Sequence, residues 1–520
     1  MSIRLSPLSA FALPLGFTLA LLGLGLLDSG GHNPLLSWSF GGAGIALFTW
    51  AAVLFGSALR TGRALALEIV PRKQHYVQAC AQGAVLIYWG WHWALVYDSA
   101  HLVVAQLVFA YAFDMLLGWS RRDTYTLGFA PFPVIFSINL FLLFKDDWFY
   151  LQFVMVAIGF AGKELIGWNK EGRRTHIFNP SSFPLAIFSL VLILTGTTDM
   201  TWGKEIAITQ FYPPQMYLML FLIGLPGQYF FGVTSMTMAA VVTTYLFGLL
   251  YFAATGTYYF FDSYIPIAVF LGMHLLFTDP STSPRTELGR IIFGVAYGLS
   301  TVVLYTLLAD AGVPTFYDKL LPIPILNLSV RAIDRAAGSR VLRRLDPVAL
   351  GRSLAPRTRN LAYMSIWVIA FTIIRAAGGV GDNHRGQWLP FWQQACADDR
   401  PYACSYLVAT QSRFCDAGSG WACNEFGILQ TELYVDGPGP IKSLEAGCEL
   451  GLLPACANRD RVRSGVDRPV RVAPTLEDYP IILRGSKAPV TDLTPASLYA
   501  RACDQGWPQS CGRDGSPGSP

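Results

Sequence analysis

The sequence predicts an all-α protein: a polytopic membrane helical bundle of about 12–13 spans, followed by a cysteine-rich helical domain. Three observations carry this. Of 520 residues, 53% are hydrophobic and only 14% charged, against roughly 25% charged in an ordinary soluble domain. Many stretches approach the ~20 apolar residues that a helix needs to cross the hydrocarbon layer. Eight of the nine cysteines lie after Gly379, where the apolar character ends. A net charge of +4 without long basic runs gives no nucleic-acid footprint, so the lipid bilayer is the first partner.

The apolar stretches run near 8–27, 38–59, 76–97, 101–118, 129–144, 148–165, 181–195, 214–231, 236–254, 264–278, 290–308 and 361–378. Residues 1–74 supply two spans and a connection. The first stretch is long, lacks a small-residue cleavage site and leads at once into the next, so it reads as a span and not a cleaved signal. Lys and Arg set the orientation. Arg60, Arg63, Arg72 and Lys73, then Arg121 and Arg122, then Lys163, Lys170, Arg173 and Arg174, mark alternate connections as cytoplasmic, with the N-terminus on the same side. The connections near His32, Asp98, Asp146 and Asp199 fall outside. The basic loop 335–360 holds Arg335, Arg340, Arg343, Arg344, Arg352, Arg357 and Arg359. It is cytoplasmic only if 313–333 also crosses, so that Pro-interrupted stretch is read as a weak span covered by its neighbours. The final span, 361–378, then places 379–520 outside.

Four cysteine pairs share one spacing of eight: Cys396/Cys404, Cys415/Cys423, Cys448/Cys456 and Cys503/Cys511. Ala or Ser precedes each second cysteine, a small residue suited to close helix packing. An even set at fixed spacing outside the cell reads as a disulfide framework. Zinc expects CxxC-type spacing and nearby His, and the tail has His384 alone, so no metal is expected. Reduced structural thiols are the other alternative. The frame resembles Sel1-like repeats in their cysteine-rich secreted form. That resemblance implies one bridge across each helical hairpin and a protein-binding solenoid with its own partner; a bridged cap without a partner is the plainer alternative. Asn458 to Thr494 has no hairpin pattern and reads as an insertion or strap.

Two polar breaks interrupt the membrane body. One is Arg174-Thr175-His176-Ile177-Phe178-Asn179-Pro180-Ser181-Ser182, the other His274 to Pro284 with Thr278-Asp279-Pro280-Ser281-Thr282-Ser283 at its centre. A capping residue followed by Pro is a helix-start signal. Two such breaks 100 residues apart suggest related halves lining a shared site; ordinary helix caps are the alternative. His92 and His274 are intramembrane ionisable residues, as inter-helix hydrogen-bond formers or as a haem pair.

Thr278 to Ser283 with Gly289-Arg290-Ile291-Ile292-Phe293-Gly294, Phe178-Asn179-Pro180 and Asn327 to Asp334 resemble the RnfD/NqrB-like membrane subunits of the Rnf and Na+-translocating NADH:quinone reductase complexes. The likeness covers roughly 75–334, and the whole arrangement is similar to a branch associated with enediyne biosynthesis. It implies a bacterial inner-membrane flavoprotein subunit that works with other membrane or periplasmic redox subunits, without stand-alone catalysis, with ion coupling left open. The implied cofactor is FMN or riboflavin, held non-covalently by Asn179, Pro180, Ser181, Asp279, Thr282, Ser283 and Arg290, in preference to a covalent ester at Thr198. Thr195-Gly196-Thr197-Thr198 departs from the family's attachment motif: the preceding Asp is missing and Thr197 replaces Ala. Arg174 and Arg285 are further phosphate candidates, although positive-inside anchoring alone accounts for such arginines. The alternative is a flavin-free transporter or scaffold that recruits a periplasmic partner through its repeats.

Overall fold

The computed structural model describes residues 2–28, 33–170, 172–350, 355–433, 439–465, 468–483 and 492–513; Arg352 and His32 of the topology argument lie outside them. The chain divides into two compact units, Met1–Thr244 with Ile267–Ile373, and Tyr245–Pro266 with Ile374–Pro520. The second unit thus takes in the second half of the helix Thr234–Thr255 and the loop after it, as well as the tail; that helix is counted below with the bundle.

The first unit is a helical bundle that reads as membrane-embedded. Its helices are α1 (Pro7–Asp28), α2 (Pro34–Thr61), α3 (Lys73–His92), α4 (Ala100–Arg122), α5 (Pro131–Asn139), α6 (Tyr150–Leu165), α7 (Ser182–Thr195), α8 (Met216–Phe231), α9 (Thr234–Thr255), α10 (Ile267–Leu275), α11 (Glu287–Asp310), α12 (Pro322–Ala337) and α13 (Pro356–Ala376). Among the described residues, α1, α2, α4, α9 and α11 are long and apolar enough to cross a membrane. α3 and α13 are of similar length, with 20 and 21 residues, but carry more polar residues, whereas α7 and α8 are shorter apolar helices. The weak span expected at 313–333 is a 3-10 turn, Thr315–Lys319, followed by α12.

Helix ends follow local chemistry. Pro occupies the first turn of α2, α5 and α12, where its missing N–H costs nothing. The Asn33 side chain caps α2 by accepting from the Leu35 amide at 2.9 Å, and Gly62 ends it in the left-handed conformation (φ 68°). Short strands link the ends on one side: β1 (Ser2–Leu5) lies antiparallel to β2 (Leu65–Ile69), β2 lies parallel to β3 (Thr124–Leu127), and β4 (Gly167–Lys170) forms a hairpin with β5 (Arg173–His176).

Two helices of nine residues, α5 and α10, stop inside the bundle. Their sequences correspond at an offset of 133: Pro133-Val134 with Pro266-Ile267, and Leu142-Leu143-Phe144-Lys145-Asp146 with Leu275-Leu276-Phe277-Thr278-Asp279. The flanking helices correspond too, α3 to α8, α4 to α9, α6 to α11 and α7 to α12. One cleft is lined by the starts of α3 and α5, the approach to α7, the ends of α4, α6 and α8, and the segment just past α10. The second set therefore runs opposite to the first: an inverted repeat. The paired breaks at Asn179 and Asp279 are not counterparts in this arrangement. Asp279 corresponds to Asp146, not to Asn179.

Carboxamides complete the backbone at these breaks. Gln106 and Asn139 exchange amide hydrogen bonds at 3.0 and 2.9 Å. Gln152 donates to Gln106 at 3.0 Å and accepts from the Phe144 amide at 3.1 Å. Gln210 donates to the Leu140 carbonyl at 2.7 Å. At this end of α5, away from the cleft, Tyr297 donates to the Lys319 carbonyl at 3.0 Å, and a fully buried Asp318–Lys319 pair stands at 3.2 Å.

The second unit is a run of short helices: α14 (Leu389–Ala397), α15 (Ala403–Asp416), α16 (Gly420–Leu433), α17 (Pro440–Glu449), α18 (Leu453–Ser464) and α19 (Pro495–Asp504). Disulfides join Cys396 to Cys404, Cys415 to Cys423, Cys448 to Cys456 and Cys503 to Cys511, so the spacing of eight joins the end of one helix to the start of the next segment. Ala403, Ala422, Ala455 and Ser510, before each second cysteine, are all buried. Three residues after each first cysteine the backbone turns left-handed, at Gly418, Gly451 and Gly506, and at Asp399 in the first frame. The next amide then returns to the carbonyl five residues back, as in Ser419 to Phe414 and Trp507 to Ala502, the Schellman closure. Trp392, Trp421, Leu407, Phe414, Leu498 and Trp507 form the core, together with Tyr258 from the loop.

Of the expected strap, Asn458 to Ser464 completes α18, 466–467 and 484–491 lie outside the described residues, and the part from Val470 to Asp478 is pinned. Asp478 accepts from Ser419 and Thr475 side chains at 2.7 and 2.8 Å. Trp421 donates to the Val472 carbonyl at 2.7 Å, and Asn458 exchanges bonds with the Val470 backbone at 2.7 and 2.8 Å.

Candidate functional site

The two polar breaks meet. The Asn179 side chain accepts from the Ser181 amide at 2.9 Å and hydroxyl at 2.7 Å, and donates to the Leu276 carbonyl at 3.0 Å. Asn327 of α12 accepts from the Asn179 amide at 3.2 Å and donates to the Thr282 carbonyl at 3.1 Å. His176 at the end of β5 stands 3.4 Å from the Asp279 carboxylate, which also accepts from the Ser281 amide at 2.9 Å. Burial works against the Asp279 charge, yet the His176 contact and the Ser281 amide hold its carboxyl below the usual range.

Above these residues opens a cleft of about 690 Å³. Arg72, Arg121, Arg122, Lys163 and Arg174 face Asp114, Glu164 and Asp279, so five cations stand against three carboxylates, with His75 and His176 between them. Arg122 pairs with Glu164 at 3.1 Å, and Arg174 donates to the Glu164 and Leu165 carbonyls at 3.3 Å. Val70, Pro133, Val134 and Phe231 add apolar wall. The lining offers donors and positive charge that suit an anionic group, beside some apolar surface.

The chain matches no family model, no curated protein and no solved structure.

Asn179, Pro180, Ser181 and Asp279 line the cleft. Thr282 and Ser283 are buried behind it. Arg290 bonds the Gly232 and Pro284 carbonyls at 2.7 and 3.2 Å and pairs with Glu287 at 3.2 Å, holding helix ends together outside the lining. Thr198 begins a 3-10 turn beyond the C-terminal end of α7, whose first turn is at the cleft. The Arg285 and Thr286 amides both donate to Asp334, at 3.0 and 3.2 Å. His92 and His274 do not face each other: Gln78 shares a small chamber with His274, and His92 lies 14 residues further along α3, about 21 Å at 1.5 Å per residue. His75, Asp114 and Gln78 were missed because they adjoin basic or apolar runs that positive-inside anchoring and burial already explain.

Proposed function

We propose that this protein is a membrane-embedded electron-transfer subunit of RnfD/NqrB-like kind, holding FMN or riboflavin non-covalently in the cleft and working within a larger assembly. The observation that carries the reading is the joining of both polar breaks in the wall of one cleft with excess positive charge. Its volume falls within the ~300–1,000 Å³ usual for organic ligands. Arg72, Lys163 and Arg174 would hold a phosphate, and Val70, Val134 and Phe231 would flank the ring. Bound flavin would supply one- and two-electron transfer; the protein's part is to bind and orient it. Thr198 lies beyond the other end of α7, so an ester there would carry a separate flavin. In this reading the cleft is cytoplasmic, the bridged tail is periplasmic, and its Sel1-like hairpins take a protein partner.

Protein purified from membranes in mild detergent should carry flavin absorbance. Lys163→Ala should lower bound flavin about ten-fold, the scale of one lost charge-assisted contact, with insertion unchanged, and Asp279→Ala should lower it by loosening the His176 and Ser281 contacts that shape the wall. Arg290→Ala should instead lower stability at unchanged stoichiometry. Thr198→Val should leave all flavin extractable. Colourless wild-type protein would replace this reading with the flavin-free transporter or scaffold.

A further inference from the structure

Behind the cleft lies a second, much smaller chamber of about 10 Å³ between α3, α8 and α10. Gln78 and Phe231 line both spaces, so the chamber lies directly inward of the cleft. Its other walls include Gly224, Gln228, His274 and Thr278. Gln228 is 1% exposed and His274 2%. Both polar atoms of the Gln228 carboxamide, and the His274 Nε2, are buried with no hydrogen-bond partner among the described residues.

The imidazole's tautomer follows from its other nitrogen. His274 Nδ1 lies 2.7 Å from the Phe270 carbonyl oxygen. A carbonyl only accepts, so Nδ1 carries the hydrogen, and Nε2 of the neutral ring offers a lone pair. The Thr278 hydroxyl donates to the His274 carbonyl at 3.0 Å, leaving its own oxygen free to accept. The chamber thus presents acceptors at His274, Gln228 and Thr278 and a donor at Gln228. Leaving such groups dry costs about 1–3 kcal/mol each. A Cβ on Gly224 would stand 3.1 Å from His274 Cδ2 and 3.4 Å from Gln228 Nε2, so a glycine here keeps the two side chains' shared space open.

We propose that this chamber is a hydration site, in which a single water bridges the His274 Nε2 and the Gln228 carboxamide and extends the cleft's solvent to the imidazole. Its volume is near the lower limit for one water, about 10–15 Å³, and it offers the two to four polar partners such a water needs. His274 is then a buried base within hydrogen-bonding reach of cleft water, whichever ligand the cleft takes.

Pulsed X-ray hydroxyl-radical labelling of the full chain in nanodiscs tests this, because radicals formed from a bound water label the side chains it touches despite their burial. His274 should be labelled about five-fold more than Phe270, which is equally buried one turn away in α10. Gly224→Val, whose side chain occupies the chamber, should remove the excess. If that variant does not insert, Gln228→Leu serves, with the same expected loss. Labelling of His274 no greater than that of Phe270, or excess labelling that persists in a correctly inserted variant, overturns the proposal. Flavin content does not enter the readout, so this test and that of the electron-transfer reading fail independently.

Discussion

In the first unit, backbone groups freed at the broken helices are met by carboxamides: Gln152 and Gln210 at the end of α5, Asn179 past the end of α10. In the second, short helices end in left-handed turns closed by their own backbone and crossed by disulfides. The solvent explains the contrast. Within a bilayer an unmet carbonyl finds no water, so side chains must reach it. A chain of hairpins in water can solvate loose ends but has too little core to hold short helices, and covalent bonds make up the difference.

The sharpest way to break the comparison is reduction. Replacing Cys415 and Cys423 together by Ala should cost about 2–5 kcal/mol, read by chemical denaturation of the full chain, and dithiothreitol should unfold the second unit while the first keeps its helical signal. Equal sensitivity of both units would end the contrast. Next in size is Asn179→Ala, which leaves the Leu276 carbonyl and the Ser181 amide without that partner. It should cost about 1–3 kcal/mol in detergent melting, and Asn179→Asp should not restore it, because a carboxylate cannot donate to Leu276. The smallest effect sharpens the turn rule. Asp399 stands at φ 53° where the other frames carry Gly, so Asp399→Gly should stabilise the second unit by about 0.5–1 kcal/mol, seen as a rise in its melting temperature.

The cysteine frame was legible because spacing and small neighbours are local: Ala403, Ala422 and Ala455 are buried as their positions suggested. The glycine three residues after the first cysteine was equally readable in three of four frames, and Asp399 hid the rule. The stretches 129–144 and 264–278 were read as whole spans, since Leu140 to Phe144 and Leu276 to Thr278 are as apolar as the helices they leave. Their unwinding depends on Gln210 and Asn179, which are distant in sequence. Related halves were inferred from the wrong pair of breaks, because the two sets share little beyond a Pro, a Leu-Leu-Phe and an Asp. In the cleft, the Asn-Pro and Asp-Pro turns were visible as breaks, but only folding brings His176 to Asp279.

Two helix sets running in opposite directions make the two ends of α3 to α12 alike, to a first approximation, in backbone plan. Direction then has to be written in side chains. At one face Asn179 and Asp279 wall an open cleft. Toward the other, Phe316 packs on Gly203, and Asp318 and Lys319 neutralise each other away from solvent. What distinguishes the two ends is therefore a small set of side chains set on a shared backbone plan, and exchanging them would change the polarity of the molecule without a change of fold.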